Sequence, residues 1–121
     1  MIVPDREHID KYLIEFTLTE RVRVYIKSEA SRLTHFAVTL ERELAPGDWR
    51  PVARYETTGG TVHRDRLKPD GSYLAHRERV RLGTDLDAAL VYAREELIMH
   101  AERYVSNYLA LLKDSPYDKD Q

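Results

Sequence analysis

The chain of 121 residues is 42% hydrophobic and 33% charged, with a formal net charge of −2. This length fits one domain with one hydrophobic core, and the near-neutral balance excludes a field that would draw the whole molecule to nucleic acid or anionic lipid. The absence of cysteine excludes a disulfide framework, thiolate metal ligands and a cysteine nucleophile.

A secretion signal has an apolar segment flanked by basic residues, and the first eight residues contain no such segment. No later stretch approaches the roughly 18 consecutive apolar residues that a membrane-spanning helix needs. We therefore expect a cytoplasmic protein that does not enter a membrane.

Hydrophobic and polar residues alternate across residues 12–18 and again across 22–27, a period of two that predicts half-buried strands. The same alternation continues across residues 33–44. Residues 45–48, Ala-Pro-Gly-Asp, then predict a turn, because proline fixes its own φ and glycine tolerates positive φ.

Two further strands are predicted at residues 49–57 and 61–68, joined by a tight turn at the glycine pair of residues 58–60. Residues 69–72, Pro-Asp-Gly-Ser, predict another tight turn that leads into a strand at 73–82. Successive hairpins of this kind indicate an antiparallel meander.

The spacing of apolar residues then changes from two to three or four. Thr84 is the predicted N-cap of a helix, with Asp85 and Asp87 in a first turn where the helix dipole favours negative charge. No Gly or Pro interrupts the run, so we predict one amphipathic helix from Thr84 to about Leu112, roughly 43 Å long at 1.5 Å per residue. Its apolar stripe comprises Leu90, Ala93, Leu97, Ala101, Tyr104, Tyr108 and Leu111.

The predicted fold class is therefore α+β: an antiparallel β-meander of about five to six strands followed by one long C-terminal amphipathic helix. Residues 1–113 form a single domain in this interpretation. Residues 114–121 are polar and contain a proline, which predicts a flexible tail.

The residues that carry chemistry lie in the hairpin around Gly59 and Gly60, where 54–56 is expected to face 62–66. This hairpin gathers a histidine, two acids, a phenol and several guanidinium groups. Guanidinium groups bind phosphate oxygens through paired donors, and a histidine that titrates near neutral pH can move a proton to or from a ribose hydroxyl. These residue types suit phosphodiester chemistry without a metal.

A simpler interpretation is that the alternating arginines and acids form cross-strand ion pairs on a solvated sheet face. Strand alternation also places His63 and Asp65 on one face and Arg64 and Arg66 on the other, so a joint catalytic set would need a bulge or a strand end. The wider segment 50–81 holds eight basic and four acidic residues, a local net charge of +4.

Neither a metal nor a cofactor is expected. The other histidines, His8, His35, His76 and His100, have no pairing at helical spacing and no adjacent carboxylates with ligand spacing. Glycine-rich phosphate loops and the Gly-x-Ser-x-Gly elbow of serine hydrolases are also absent from the sequence.

The hairpin resembles a group of small uncharacterised prokaryotic proteins with Arg-Tyr-Asp, His-Gly, His-Arg-Asp and Pro-Asp-Gly on consecutive strands before a long helix. That likeness covers residues 49–112. More distantly, the hairpin and the helix after it are similar to the TumE-like toxins of toxin–antitoxin pairs. Two positions depart from the pattern: Glu56 replaces the aspartate and Gly59 replaces a histidine, so this chain lacks one candidate proton carrier.

The resemblance implies an RNA-binding or RNA-cleaving component of a toxin–antitoxin pair, with a cognate antitoxin as partner. In this hypothesis His63 is a general acid or base, and Arg54 and Arg64 stabilise phosphate charge. The candidate catalytic residues are Arg54, Tyr55, His63 and Asp65, and the candidate substrate-binding residues are Glu56, Arg64 and Arg66. Pro69, Asp70 and Gly71 form the structural turn.

A rival hypothesis is a homodimeric, non-enzymatic interaction module. Its basis is a second apolar row on the helix, with residues seven apart: Val91, Ile98, Val105 and Leu112. A small-molecule pocket between sheet and helix is a third alternative.

Overall fold

Six antiparallel strands follow one another across a single sheet in sequence order, as the meander prediction requires. The structure, a computed structural model, describes residues 6–113, and the predicted tail at 114–121 lies outside the described residues. The strands are β1 (Glu7–Glu15), β2 (Glu20–Glu29), β3 (Arg32–Ala45), β4 (Asp48–Thr58), β5 (Thr61–Leu67) and β6 (Tyr73–Arg79). The α+β class and the strand count are confirmed.

Tight turns set the register of these hairpins. Gly59 and Gly60, with φ of 59° and 81°, connect β4 to β5 in the left-handed conformation that glycine adopts without steric cost. Ala30 and Ser31 have similar φ values of 52° and 62° between β2 and β3. Because neither is a residue that favours positive φ, no sequence signal marks that turn.

The core lies on one face of the sheet. Apolar side chains of the central strands alternate onto this face, and their opposite neighbours point to the other, solvent-facing side. Full burial of such a side chain contributes about 1.5–3 kcal/mol to the free energy of unfolding. The most deeply buried side chains of the sheet are Val22, Val24, Phe36, Val38, Leu40 and Tyr55.

Two helices cover this face: α1 (Leu86–Met99) and α2 (Ala101–Lys113). The prediction of one long helix is therefore wrong. Asp85 is the N-cap, one residue later than predicted, and its side chain accepts hydrogen bonds from the backbone of Asp87 and Ala88.

The break lies at His100, whose ψ of 17° falls outside the helical range. Its N–H still donates to the carbonyl of Glu96, and its own carbonyl accepts from Tyr104. α1 packs on β2 and β3, whereas α2 packs on β4. Because a sheet twists, a straight helix of that length diverges from the strands beneath it, and the bend keeps both segments in contact. The buried stripe runs through the bend at Leu97 and Ala101, so periodicity cannot reveal it.

The second apolar row of the helix does not form one exposed surface. Val91 is 41% exposed, but Val105 is 4% exposed and belongs to this chain's own core. Homodimerisation through that row stays a prediction with less support. Within residues 6–113, neither helix has the length and apolar character required to cross a bilayer.

Candidate functional site

The seven predicted site residues lie on two faces of the sheet. In the β4–β5 hairpin, Arg54 pairs with Asp65, Tyr55 with Arg64, and Glu56 with His63. Since opposed residues share a face and neighbours along a strand alternate, the residues divide into two sets. The solvent-facing set is Arg54, Glu56, His63 and Asp65, and the helix-facing set is Tyr55, Arg64 and Arg66.

On the solvent-facing side, Asp65 holds the hairpin to β6. One carboxylate oxygen accepts from the backbone N–H of Arg77 at 2.7 Å, and the other accepts from Arg54 Nη2 at 3.2 Å. Arg77 has a left-handed φ of 52°, and the β5–β6 ladder shifts register beside it. Asp65 therefore stabilises an irregularity of the edge strand, and its two oxygens are already committed.

His63 makes one hydrogen bond, between Nε2 and Thr61 Oγ1 at 2.9 Å. Thr61 donates its hydroxyl hydrogen to the carbonyl of Thr58, so the Thr61 oxygen accepts from His63 and Nε2 is the protonated ring nitrogen. The remaining nitrogen, Nδ1, is buried and has no partner among the described residues. The proton-transfer role of His63 stays a prediction, because neither ring nitrogen is both free and accessible in this geometry.

On the helix-facing side, a polar network, here called the inner cluster, joins Tyr55, Arg64, Glu78, Glu96 and Tyr104. Arg64 Nη1 donates to the Tyr104 hydroxyl at 3.0 Å, and that hydroxyl donates to Glu96 Oε1 at 2.7 Å. Arg64 also forms an ion pair with Glu78 at 3.2 Å. The cluster connects β5 and β6 to both helices across the bend.

Burial changes the titration of this cluster. It raises the pKa of Tyr104 to about 12, and the hydrogen bond to Glu96 adds to that shift. The pKa of Tyr55 is raised further by burial, with Tyr104 and Glu96 contributing. Burial opposes the charge on Glu78, but hydrogen bonds from Arg66 and Arg64 outweigh it and lower its pKa. Both phenols thus stay protonated near neutral pH, which makes them hydrogen-bonding groups rather than nucleophiles.

Little free volume accompanies these groups. The concavity beside the inner cluster, lined by residues that include Val52, Arg66 and Tyr104, has a volume of about 10 Å³, enough for about one water molecule. The larger depression, of about 520 Å³, lies away from the predicted site, on the outer side of α2 around Met99 and Arg103. Within residues 6–113, no three His, Asp or Glu side chains are grouped so that they could hold a metal.

Three exposed arginines without a predicted role follow one another at alternate positions. Arg77, Arg79 and Arg81, here called the arginine row, run along β6 and two residues beyond it, and all three are exposed. Among residues 6–113, no carboxylate forms an ion pair with any of them. The sequence shows these arginines as basic residues at alternate positions, with Glu78 as the one acid among them. Composition does not reveal that Glu78 pairs with Arg64 and Arg66 instead.

Arg79 connects the row to the predicted site. It is the register partner of His63, so both side chains lie on the solvent-facing side. The candidate site therefore comprises the arginine row together with the solvent-facing set of the hairpin.

Comparison with known proteins identifies a family but does not indicate an activity. No curated protein and no solved structure matches the chain. The model of a family described as a domain of unknown function, DUF7718, matches residues 4–114. Because this match spans nearly all of the fold, from before β1 to the end of α2, the chain belongs to the DUF7718 family.

Proposed function

We propose that the protein binds RNA through its backbone phosphates, at the β6 side of the solvent-facing sheet surface. The observation that carries the proposal is the arginine row, which offers three exposed guanidinium groups that no carboxylate of the described residues neutralises. Phosphate contacts by arginine supply most of the sequence-independent affinity for nucleic acid.

The spacing of the row suits a chain of phosphates. Alternate residues in a fully extended strand are about 6.6 Å apart, which follows from a rise of about 3.3 Å per residue, and this value is an upper limit beside Arg77 with its left-handed φ. This separation is similar to that between successive phosphates in an extended single strand. A groove is not required for such contacts, so the lack of a large cavity beside the hairpin does not oppose the proposal.

The arginines of the hairpin are less available. Arg54 lies 3.2 Å from Asp65 and 3.7 Å from Glu56, and Arg66 lies 2.8 Å from Glu78. A phosphate that approached them would compete with carboxylates already in place. The binding surface proposed here is therefore displaced from residues 54–66 toward 77–81.

A basic edge strand could instead add a strand from an acidic peptide. Regular strand addition requires an uninterrupted row of backbone donors and acceptors. Arg77 interrupts that row, since its left-handed φ and the register shift beside it distort the edge strand. The edge is thus protected against strand pairing while its side chains remain exposed, which favours phosphates as the ligand.

RNA cleavage within a toxin–antitoxin pair is the wider form of this proposal. It requires an accessible histidine nitrogen, which rotation of His63 away from Thr61 would supply. A binding assay for this surface therefore needs a cleavage readout as well.

The test measures RNA affinity by fluorescence anisotropy with a labelled RNA of about 16 nucleotides. A metal chelator is present, and the salt concentration is about 50 or about 200 mM. We expect binding that weakens with salt. Arg79→Ala should weaken binding and reduce the magnitude of the salt slope by about 0.7, the value for one lost phosphate contact on a single strand.

The matched control is Arg103→Ala, which removes an exposed arginine from α2 on the opposite side of the sheet. It should bind like the wild type. An Arg79→Ala protein that is indistinguishable from Arg103→Ala, or a wild type that does not bind at low salt, would overturn the proposal. Chelator-resistant cleavage that disappears in His63→Ala would support the nuclease form.

A further inference from the structure

Two exposed aromatic rings stack at the start of β6. The Tyr73 and His76 rings have centroids 3.9 Å apart and planes inclined by 20°. Tyr73 is 42% exposed and His76 is also exposed, unlike Tyr55, which is buried in the core.

The geometry of this pair differs from that of the other aromatic contacts in residues 6–113. Tyr25 and His35 meet at 71°, and Tyr55 and Tyr92 meet at 88°, both edge-to-face. Side chains three residues apart in a regular strand point to opposite faces, so the irregular β5–β6 ladder is what lets Tyr73 and His76 meet. A parallel stack is the arrangement to which a nucleobase adds as a further layer.

We propose that the Tyr73–His76 stack receives an unpaired base, which makes single-stranded RNA the ligand class of this site. This inference rests on the proposed function, because the arginine row holds the phosphates of the same strand. Tyr73 lies six residues before Arg79, at most about 20 Å at about 3.3 Å per residue, so one strand of RNA that follows this edge of the sheet reaches both. Bases in a duplex are already paired and stacked, and they meet an aromatic side chain only after being displaced from the helix.

The test compares three labelled probes of equal length: single-stranded RNA, the same sequence as a duplex, and an abasic strand that keeps the phosphates. Wild-type protein should bind the base-bearing single strand about tenfold more tightly than the abasic strand, as expected for one stacked base. In Tyr73→Ala this preference should disappear, while the affinity for the abasic strand is unchanged.

Two further variants separate stacking from general disturbance. Tyr73→Phe keeps the ring and should keep the preference. Tyr92→Ala removes a similarly exposed ring from α1, 45% exposed, and should also keep it. Equal affinity of the wild type for the base-bearing and abasic strands, with Arg79→Ala still weakening both, would overturn the stacking inference and leave the phosphate site standing. Failure of the wild type to bind any probe would overturn the proposed function itself.

Discussion

The arginines of β5 and those of the arginine row differ in what surrounds their charge. Arg64 and Arg66 share Glu78, and Arg64 also donates to the hydroxyl of Tyr104. Arg79, on the adjacent strand, is exposed and forms no ion pair within residues 6–113. Arginines separated by a single strand spacing therefore serve different purposes: one set joins sheet to helices, and the other remains available to a ligand.

This difference shows why local net charge is a poor guide to a binding surface. The segment 50–81 carries a net charge of +4, and a count gives each arginine equal weight. Three of its four acids, Glu56, Asp65 and Glu78, pair with Arg54, Arg64 and Arg66. The uncompensated charge is consequently concentrated at residues 77–81.

The largest effect on stability is expected from removing Asp65, which connects the two regions. Asp65→Ala deprives both Arg54 and the N–H of Arg77 of a buried acceptor, and should reduce the free energy of unfolding by about 3 kcal/mol. Urea denaturation measures the loss. Asp65→Asn, which keeps one acceptor oxygen, should lose less, and a cost for Asp65→Ala as small as that of Arg103→Ala would contradict its structural role.

A direct comparison substitutes one arginine from each region. Arg64→Met should lower the free energy of unfolding by about 2 kcal/mol, because Glu78 and Tyr104 lose a charged donor at a partly buried site. Arg79→Met should change it by less than about 0.5 kcal/mol, as is usual for an exposed residue without partners. Similar costs for both variants, measured by urea denaturation at neutral pH, would remove the distinction between the regions.

Tyr104→Phe deletes one hydroxyl from the inner cluster and leaves the arginine row unchanged. The expected loss is about 1.5 kcal/mol, since the hydrogen bond to Glu96 and the one from Arg64 both disappear without creating a cavity. The folded pKa of Tyr104 is raised to about 12. Its contribution should therefore be constant below the ordinary tyrosine pKa of about 10 and disappear as the pH rises through the folded value. Ultraviolet titration of wild type and variant would show whether one phenol ionises late.

The smallest effect on stability is expected when the pH is lowered and Glu78 becomes protonated. Burial is outweighed by hydrogen bonds from Arg66 and Arg64, so the pKa of Glu78 is lowered in the folded state. The contribution of Glu78 to the free energy of unfolding should be complete above the ordinary glutamate pKa of about 4.3. It should decline as the pH falls through the lower pKa of the folded state. The difference in unfolding free energy between wild type and Glu78→Gln should narrow in that window. A difference that stays constant to lower pH would show that Glu78 is not stabilised by its arginines.

Much of the fold can be predicted from the sequence because it depends on local patterns. Alternation identified the strands around Val22 to Val38, and the glycine pair at 59–60 fixed the central hairpin. The turn at Ala30 and Ser31 and the bend at His100 were not predictable, since both are imposed by the packing of neighbouring elements on residues that carry no signal.

For the candidate site, alternation correctly separated His63 and Asp65 from Arg64 and Arg66. It could not show which arginines are neutralised, because the acids that neutralise them come from β6 and α1. Glu96 in particular is 32 positions from Arg64 along the chain. Such pairing depends on tertiary structure, so the sequence alone does not single out the arginine row.

The meander has a consequence for how the chain acquires its structure. Every strand pairs only with its neighbour in sequence, so the sheet can grow hairpin by hairpin through short loop closures, which favours rapid folding for a β-rich protein. Yet the apolar face that these strands build has no cover until α1 and α2 arrive. During synthesis the sheet is therefore expected to expose Val24, Phe36 and Val38 until the helical segment at residues 86–113 emerges, and the docking of the two helices then completes the core.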